Sequence, residues 1–163
     1  MSKTNIGIDP GKSSFICRIT DDIVCFDRIP MIGEEIDLRA LNACFLAIPK
    51  PSYAVIEDVH SVFGSSAKSN FEFGRVVGML ESFLVSSNIP YTKVQPKKWQ
   101  SQMWIGVPIQ TKADGKNDTK ATSLLSAQRI FPNVDLRKSE RARIADHNKV
   151  DALLIAEYCR RNF

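Results

Sequence analysis

Apolar positions along this chain follow two rhythms, one of strands and one of helices. Residues 4–9, 14–20 and 23–29 are short β-like runs, parted by Pro10-Gly11 and by a tight Asp21-Asp22 turn, and together they predict an antiparallel meander. The spacing then lengthens. Ile36, Leu38, Leu41, Cys44, Phe45 and Ile48 recur at helical intervals over 34–48, and Pro49 ends that helix. Tyr53-Ala54-Val55-Ile56 is an unbroken apolar run of the kind found in a strand covered on both faces. A long helix follows over 70–86, with Phe73, Val76, Val77, Leu80, Phe83 and Leu84 inward, and then a fifth strand over 91–94. Helices over 117–131, resting on Leu124, Leu125 and Ile130, and over 147–161 complete the chain. The order predicts an α/β protein: a mixed five-stranded sheet, three strands antiparallel and the rest parallel, with helices on both faces. One domain over 1–163 is expected, with a mobile stretch at 107–118, where Pro, Gly, Lys and Asp crowd together.

Composition narrows the class. At 44% hydrophobic and 25% charged residues the chain is built to fold. No apolar run is long enough to span a membrane, and the first residues lack the apolar segment of a secretory signal. Cys17, Cys25, Cys44 and Cys159 form no Cys-x-x-Cys pair, which argues against zinc, and they read as reduced core residues of a cytoplasmic protein. The net charge of +4 is unevenly spread. Residues 1–92 carry 8 basic and 11 acidic side chains, whereas 93–143 carry 11 basic and 4 acidic, a local net of +7. That excess marks a candidate polyanion-binding surface.

Carboxylates supply the candidate chemistry. Asp9 closes the first strand and Glu57 the fourth, while Asp151 lies one turn into the last helix. A carboxylate at the buried end of an apolar strand is costly unless it is paired, and no Lys or Arg of these segments points inward to do so. If the first and fourth strands are neighbours, two carboxylates converge and the last helix brings a third across them. Such a cluster stays ionised only around a cation, and hard oxygen ligands favour Mg²⁺ or Mn²⁺. Two ions about 4 Å apart would suit phosphodiester hydrolysis, one activating water and the other stabilising the leaving 3′ oxygen.

Four segments carry a family resemblance. Gly7-Ile8-Asp9-Pro10-Gly11, Ile56-Glu57-Asp58-Val59-His60, Phe71-Glu72-Phe73-Gly74-Arg75 and Val150-Asp151-Ala152-Leu153-Leu154-Ile155-Ala156 resemble the RuvC-type Holliday junction resolvases, in particular the branch of phages and some bacterial genomes. Val94-Gln95-Pro96 before Lys97-Lys98-Trp99 extends the likeness over nearly the whole chain. The resemblance implies a ribonuclease-H-like fold, a homodimer, Mg²⁺ dependence without an organic cofactor, and symmetric nicking of four-way and other branched DNA in a bacterial or phage-infected cytoplasm. It carries over Asp9, Glu57 and Asp151 as metal-binding carboxylates. The fourth ligand departs from the family pattern. Where an acid is expected three or four residues before the last Asp, this chain has Asn148 and His147, with Asp146 one step further upstream. His147 is a candidate ligand or base, and Asp146 a candidate ligand or plain helix cap. Asp58 should point away from Glu57 and serve a turn.

DNA contacts follow from charge and position. Lys12 and Ser13 stand beside Asp9, and Phe63, Ser65 and Lys68 lie in the loop after the active-site strand. Phe71 is expected to pack in the core. Arg75 sits beside Gly74 and Gly78, small residues that admit either a second helix of a dimer or an internal contact. Lys97, Lys98, Lys112, Lys116 and Lys120 form the reservoir of charge for duplex arms. Trp99 and Trp104 suit helix packing more than base stacking. Rival readings are a nuclease of the same fold acting on RNA–DNA hybrids, and a junction-binding module without catalysis. An actin-like ATPase would need a second Gly-rich phosphate loop and a longer chain.

Overall fold

The structure, a computed structural model, describes residues 2–59, 64 and 66–163. Its strands and helices run in the order β1 Thr4–Ile8, β2 Phe15–Thr20, β3 Ile23–Arg28, β4 Met31–Ile32, β5 Glu35–Ile36, α1 Leu38–Leu46, β6 Ser52–Glu57, α2 Ala67–Ser86, β7 Tyr91–Val94, α3 Pro96–Met103, α4 Thr119–Ile130 and α5 His147–Asn162. The apolar runs of β1, β2 and β3 fold back on one another through Asp21, whose left-handed φ of 53° closes the second turn. β6 and then β7 add in parallel, giving a five-stranded sheet in the order β3-β2-β1-β6-β7.

Alternation along each strand divides the core in two. Ile6, Ile8, Ile16, Ala54 and Ile56 face α1 and α2, meeting Leu41, Phe45, Val76, Leu80 and Leu84. Cys17, Ile19, Val55 and Val94 face the other way, onto α3, α4 and α5, where Trp99, Met103, Ala127, Leu153 and Leu154 are fully buried. Each fully buried Leu or Ile contributes about 1.5–3 kcal/mol. Helices therefore cover both faces, as the spacing of apolar residues predicts.

Some elements differ from expectation. The helix expected over 34–48 begins only at Leu38. Gly33, at φ 60°, turns Met31–Ile32 onto Glu35–Ile36, and Asp37 then caps α1 by accepting from the amides of Arg39 and Ala40 at 3.0 Å. On α4, Leu125 is exposed, and Thr122, Ser123, Ser126 and Ala127 are buried instead. Their hydroxyls are satisfied locally: Thr122 donates to the Asp118 carbonyl, Ser126 to that of Met103, and Ser123 accepts from Trp104 Nε1. Phe71 is 70% exposed rather than in the core. Cys25 likewise faces solvent on edge strand β3, so only Cys17 and Cys159 are buried thiols. The 107–118 stretch folds as a hydrogen-bonded turn, with Lys112 N donating to Lys116 O at 2.8 Å and Thr111 bridging to Asn117. No helix among the described residues is long and apolar enough to cross a membrane.

Candidate active site

The site is built where two parallel strands end together. β1 pairs with β6 so that Ile8 lies opposite Ile56. The next residue of each strand is then Asp9 and Glu57, side by side at the C-terminal edge. By alternation both share the face of Gly7 and Val55, which is the face covered by α5. Gly7 sets how closely that helix can lie. A Cβ at Gly7 would stand 2.2 Å from the Ala156 nitrogen and 2.3 Å from the Ala152 carbonyl oxygen. The absent side chain thus lets α5 rest directly on β1, with Asp151 over the strand ends.

The carboxylates act on one another electrostatically. Burial raises the Asp9 carboxyl well above the usual range, and the charges of Glu57, Asp151 and Asp146 raise it further. The buried Ser14 hydroxyl offsets part of this, without reaching hydrogen-bond geometry. Asp151 is pushed up to about 7, by burial first and then by Glu57, with Ser123 and Lys120 opposing. Glu57 is raised by burial and eased by a hydrogen bond from Trp99 Nε1 to its Oε1 at 2.8 Å. Among the described residues none forms a salt bridge with Asp9, Glu57 or Asp151, so these carboxyl groups crowd together without a direct cationic partner. No group of three His, Cys, Asp or Glu side chains among these residues is arranged to hold a metal ion as it stands. The donor set nevertheless fits one chemically: hard, buried, unpaired carboxylates whose ionisation a divalent cation would restore.

The remaining candidates fall at graded distances from this centre. Asp146 caps α5, accepting from Asn148 N at 3.0 Å, yet its charge still reaches Asp9. Asn148 Nδ2 donates to the Ser13 carbonyl at 3.4 Å, tying α5 to the turn after Asp9. His147 lines a neighbouring cavity, and its buried Nδ1 has no partner among the described residues. Asp58 turns away toward Lys93, 3.7 Å distant. Lys12 is engaged with Glu72 at 3.1 Å and with the Glu34 carbonyl, while Arg75 pairs with Glu35 and Glu72. Lys68, Lys97, Lys98, Lys112, Lys116 and Lys120 are exposed, with Lys120 near enough to act on Asp151. Phe63 and Ser65 lie outside the described residues. A Cβ added at Gly74 or Gly78 would meet no atom of the described residues within 4 Å, so α2 is open to a neighbour at these two positions among the described residues.

Trp99 is the residue that sequence reasoning undervalues. Pro96 starts α3 immediately after β7 and thereby seats Trp99 against the end of β6. The available signal is the indole itself, since a buried Trp N–H needs an acceptor and Glu57 supplies it.

No family model matches this chain, and no curated protein matches it in sequence. Solved structures do match in fold. The structure of Thermus thermophilus RuvC in complex with a Holliday junction substrate superposes with a TM-score of 0.60 at 15% identity, covering 96% of this chain and 90% of the other. The chain has a RuvC-like fold. A second structure of T. thermophilus RuvC agrees, with a TM-score of 0.56, 16% identity, and coverage of 96% and 91%. The strand order of the RuvC-like sheet here is the ribonuclease-H-like arrangement expected from the sequence.

Proposed function

We propose that this protein is a metal-dependent endodeoxyribonuclease that resolves Holliday junctions and other branched DNA as a homodimer, with 1–163 as its nuclease domain. The observation that carries the reading is the carboxylate cluster at the ends of β1 and β6 under α5. It stands on a fold shared with a protein solved in complex with a Holliday junction. Asp9, Glu57 and Asp151 would hold one or two Mg²⁺ or Mn²⁺ ions, with Asp146 nearest at hand as the fourth carboxylate. Bound there, the metal would lower the pKa of water and neutralise charge on the transferring phosphate.

The chain's own residues supply the rest. Trp99 fixes the Glu57 carboxylate, and Gly7 fixes the approach of Asp151. We assign His147 to orienting the attacking water. Hydrolysis then places the water oxygen on phosphorus, expels the 3′ oxygen and leaves a 5′-phosphate. Lys120, Lys112 and Lys116, with Lys97, Lys98, Lys68 and Ser13, would neutralise DNA phosphates around the site.

A second copy would dock on the open face of α2. Phe71, Gly74, Gly78 and Val85 recur at steps of three, four and seven residues along one side. Phe71 is 70% and Val85 63% exposed, and the glycines leave room for a close partner helix.

The test is cleavage of a mobile synthetic four-way junction, a linear duplex and an RNA–DNA hybrid, each with Mg²⁺ and with EDTA. Paired symmetric nicks in the junction alone, lost in EDTA, are expected. Preferential cutting of the hybrid would move the protein to a ribonuclease-H-type activity, and binding without cutting in any metal would make it a junction-binding module.

A further inference from the structure

Beside the carboxylates lies a second feature, formed by the turn that leads into α5. Residues 137–143 read Arg-Lys-Ser-Glu-Arg-Ala-Arg, four basic against one acidic. The turn is braced. Arg137 grips Asp135 through Nε and Nη2 at 2.9 and 2.8 Å and donates to the Glu140 carbonyl. Lys149 Nζ reaches back from α5 to the carbonyls of Asp135 and Arg137, at 3.1 and 2.9 Å. Arg137 bridges to Ala145, and Asp146 N donates to Leu136 O at 2.8 Å, closing the turn against the start of the helix.

That bracing consumes Arg137 and Lys149 and leaves the other cations outward. Lys138, Arg141 and Arg143 are exposed and have no ion-pair partner among the described residues. Under the turn opens a cavity of about 370 Å³, lined by Lys120, Lys138, Ala142, Ile144, Ala145, Asp146, His147 and Asn148. Its lining is mixed: apolar at Ala142, Ile144 and Ala145, cationic at the two lysines, and acidic at Asp146, whose carboxylate is engaged by the Asn148 amide N–H at 3.0 Å. Ile144 is 80% exposed, a large apolar side chain set among charges with no core to join. His147 Nδ1 adds a buried polar atom without a partner among the described residues.

Apolar surface flanked by lysines, next to a carboxylate cluster, matches one ligand chemistry: a planar base attached to a phosphate. We infer that this cavity receives an unstacked deoxynucleotide of the strand being cut, its base against Ile144 and Ala142 and its phosphate on Lys138 and Lys120. Arg141 and Arg143 hold the backbone further along. A phosphate alone would leave Ile144 and the alanines without a role. A purely apolar ligand would leave the lysines without one. The inference rests on the nuclease reading above and deepens it, because a base held here lets the turn select where in a branched DNA the cut falls.

The experiment is an abasic scan. Four-way junctions carrying one abasic residue at successive positions around the cut are titrated with the wild-type protein in EDTA, so that binding is read without cleavage. At one position the wild type should lose about fivefold in affinity, the low end of what a base stacked on an aromatic ring contributes, since Ile144 and Ala142 are aliphatic. Ile144→Asp and Ala142→Trp, the second filling the cavity, should bind the intact junction more weakly and lose sensitivity to that one position. Lys138→Ala, a change at an exposed side chain outside the core, should instead weaken all junctions alike and flatten the salt dependence by about one phosphate contact. Melting curves identify any variant that fails to fold, and the conclusion then stands on the others. A wild type that cuts junctions normally yet is indifferent to every abasic position overturns this inference alone. Variants that keep the wild-type sensitivity overturn it as well. A wild type that neither binds nor cuts junctions overturns the nuclease reading first, and this inference with it.

Discussion

Asp9 and Asp151 hold their protons more tightly than free aspartates because burial and neighbouring carboxylates both oppose ionisation. In the unfolded chain each ionises near its ordinary value of about 4. As pH rises from there the unfolded chain releases protons that the folded chain keeps, so this contribution favours unfolding more and more until Asp151 ionises near 7. The metal-free protein should therefore lose stability as pH rises from about 4, with the share due to Asp151 complete near pH 7. Asp151→Asn removes the Asp151 share of that dependence and one of the charges that raise Asp9. It should melt with the wild type near pH 4 and several degrees above it at pH 8, at about 2–4 °C per kcal/mol, while abolishing cleavage. An Asn variant no more stable than wild type at pH 8 would show that the cluster is not repulsive. Mg²⁺ should stabilise the wild type increasingly over the same range, since metal competes with protons for the carboxylates. At Trp99, replacement by Phe keeps the ring and loses the hydrogen bond to Glu57. A fall of about 10- to 100-fold in cleavage, a higher Mg²⁺ requirement and an acid limb shifted to higher pH are expected, with junction binding intact. Unchanged pH and metal profiles would reduce Trp99 to a packing residue.

Elements decide how these residues meet. The last helix crosses β1 at Gly7 with its backbone where a side chain would otherwise stand. Gly7→Ala must move α5 away from the strand, because the obstacles are backbone atoms at 2.2 and 2.3 Å and cannot rotate aside. We expect a loss of several kcal/mol in denaturant unfolding, large against the stability of an ordinary domain. A variant of native stability would mean that α5 is seated elsewhere. Along α2 the open glycine face predicts association. Phe71→Glu should convert a dimer to a monomer in sedimentation equilibrium while leaving the melting temperature of the dilute protein nearly unchanged, since Phe71 makes no core contact. A monomeric wild type would remove the proposed docking face. Element types are legible from spacing in β1, β2, β6, α2 and α5, whose apolar faces are long and regular. Spacing misleads at the start of α1, because Ile36 is buried from a hairpin and keeps the helical interval by coincidence. On α4 the apolar count misleads too, since its hydroxyls find partners and go inside while Leu125 stays out.

Over the molecule as a whole, charge is partitioned. The acidic first half supplies most of the sheet and the carboxylates Asp9 and Glu57, whereas the basic excess of 93–143 lies in the segments that precede α5. Binding to branched DNA should accordingly weaken steeply with salt, and each exposed lysine removed from Lys112, Lys116 and Lys120 should lower the slope of log affinity against log salt by about 0.9. A salt-independent affinity would argue that the basic segments do not touch DNA. Periodicity, composition and strand-end position are local properties of the chain, and they are enough to specify the alternation of strands and helices, the asymmetry of charge and three candidate carboxylates. Everything that depends on distant segments meeting is settled by the fold. Only the parallel pairing of β1 with β6 sets Asp9 beside Glu57, and only the contact of α5 with Gly7 brings Asp151 over them. The hydrogen bond from Trp99 to Glu57 joins residues far apart in the chain, and no local pattern encodes such a meeting.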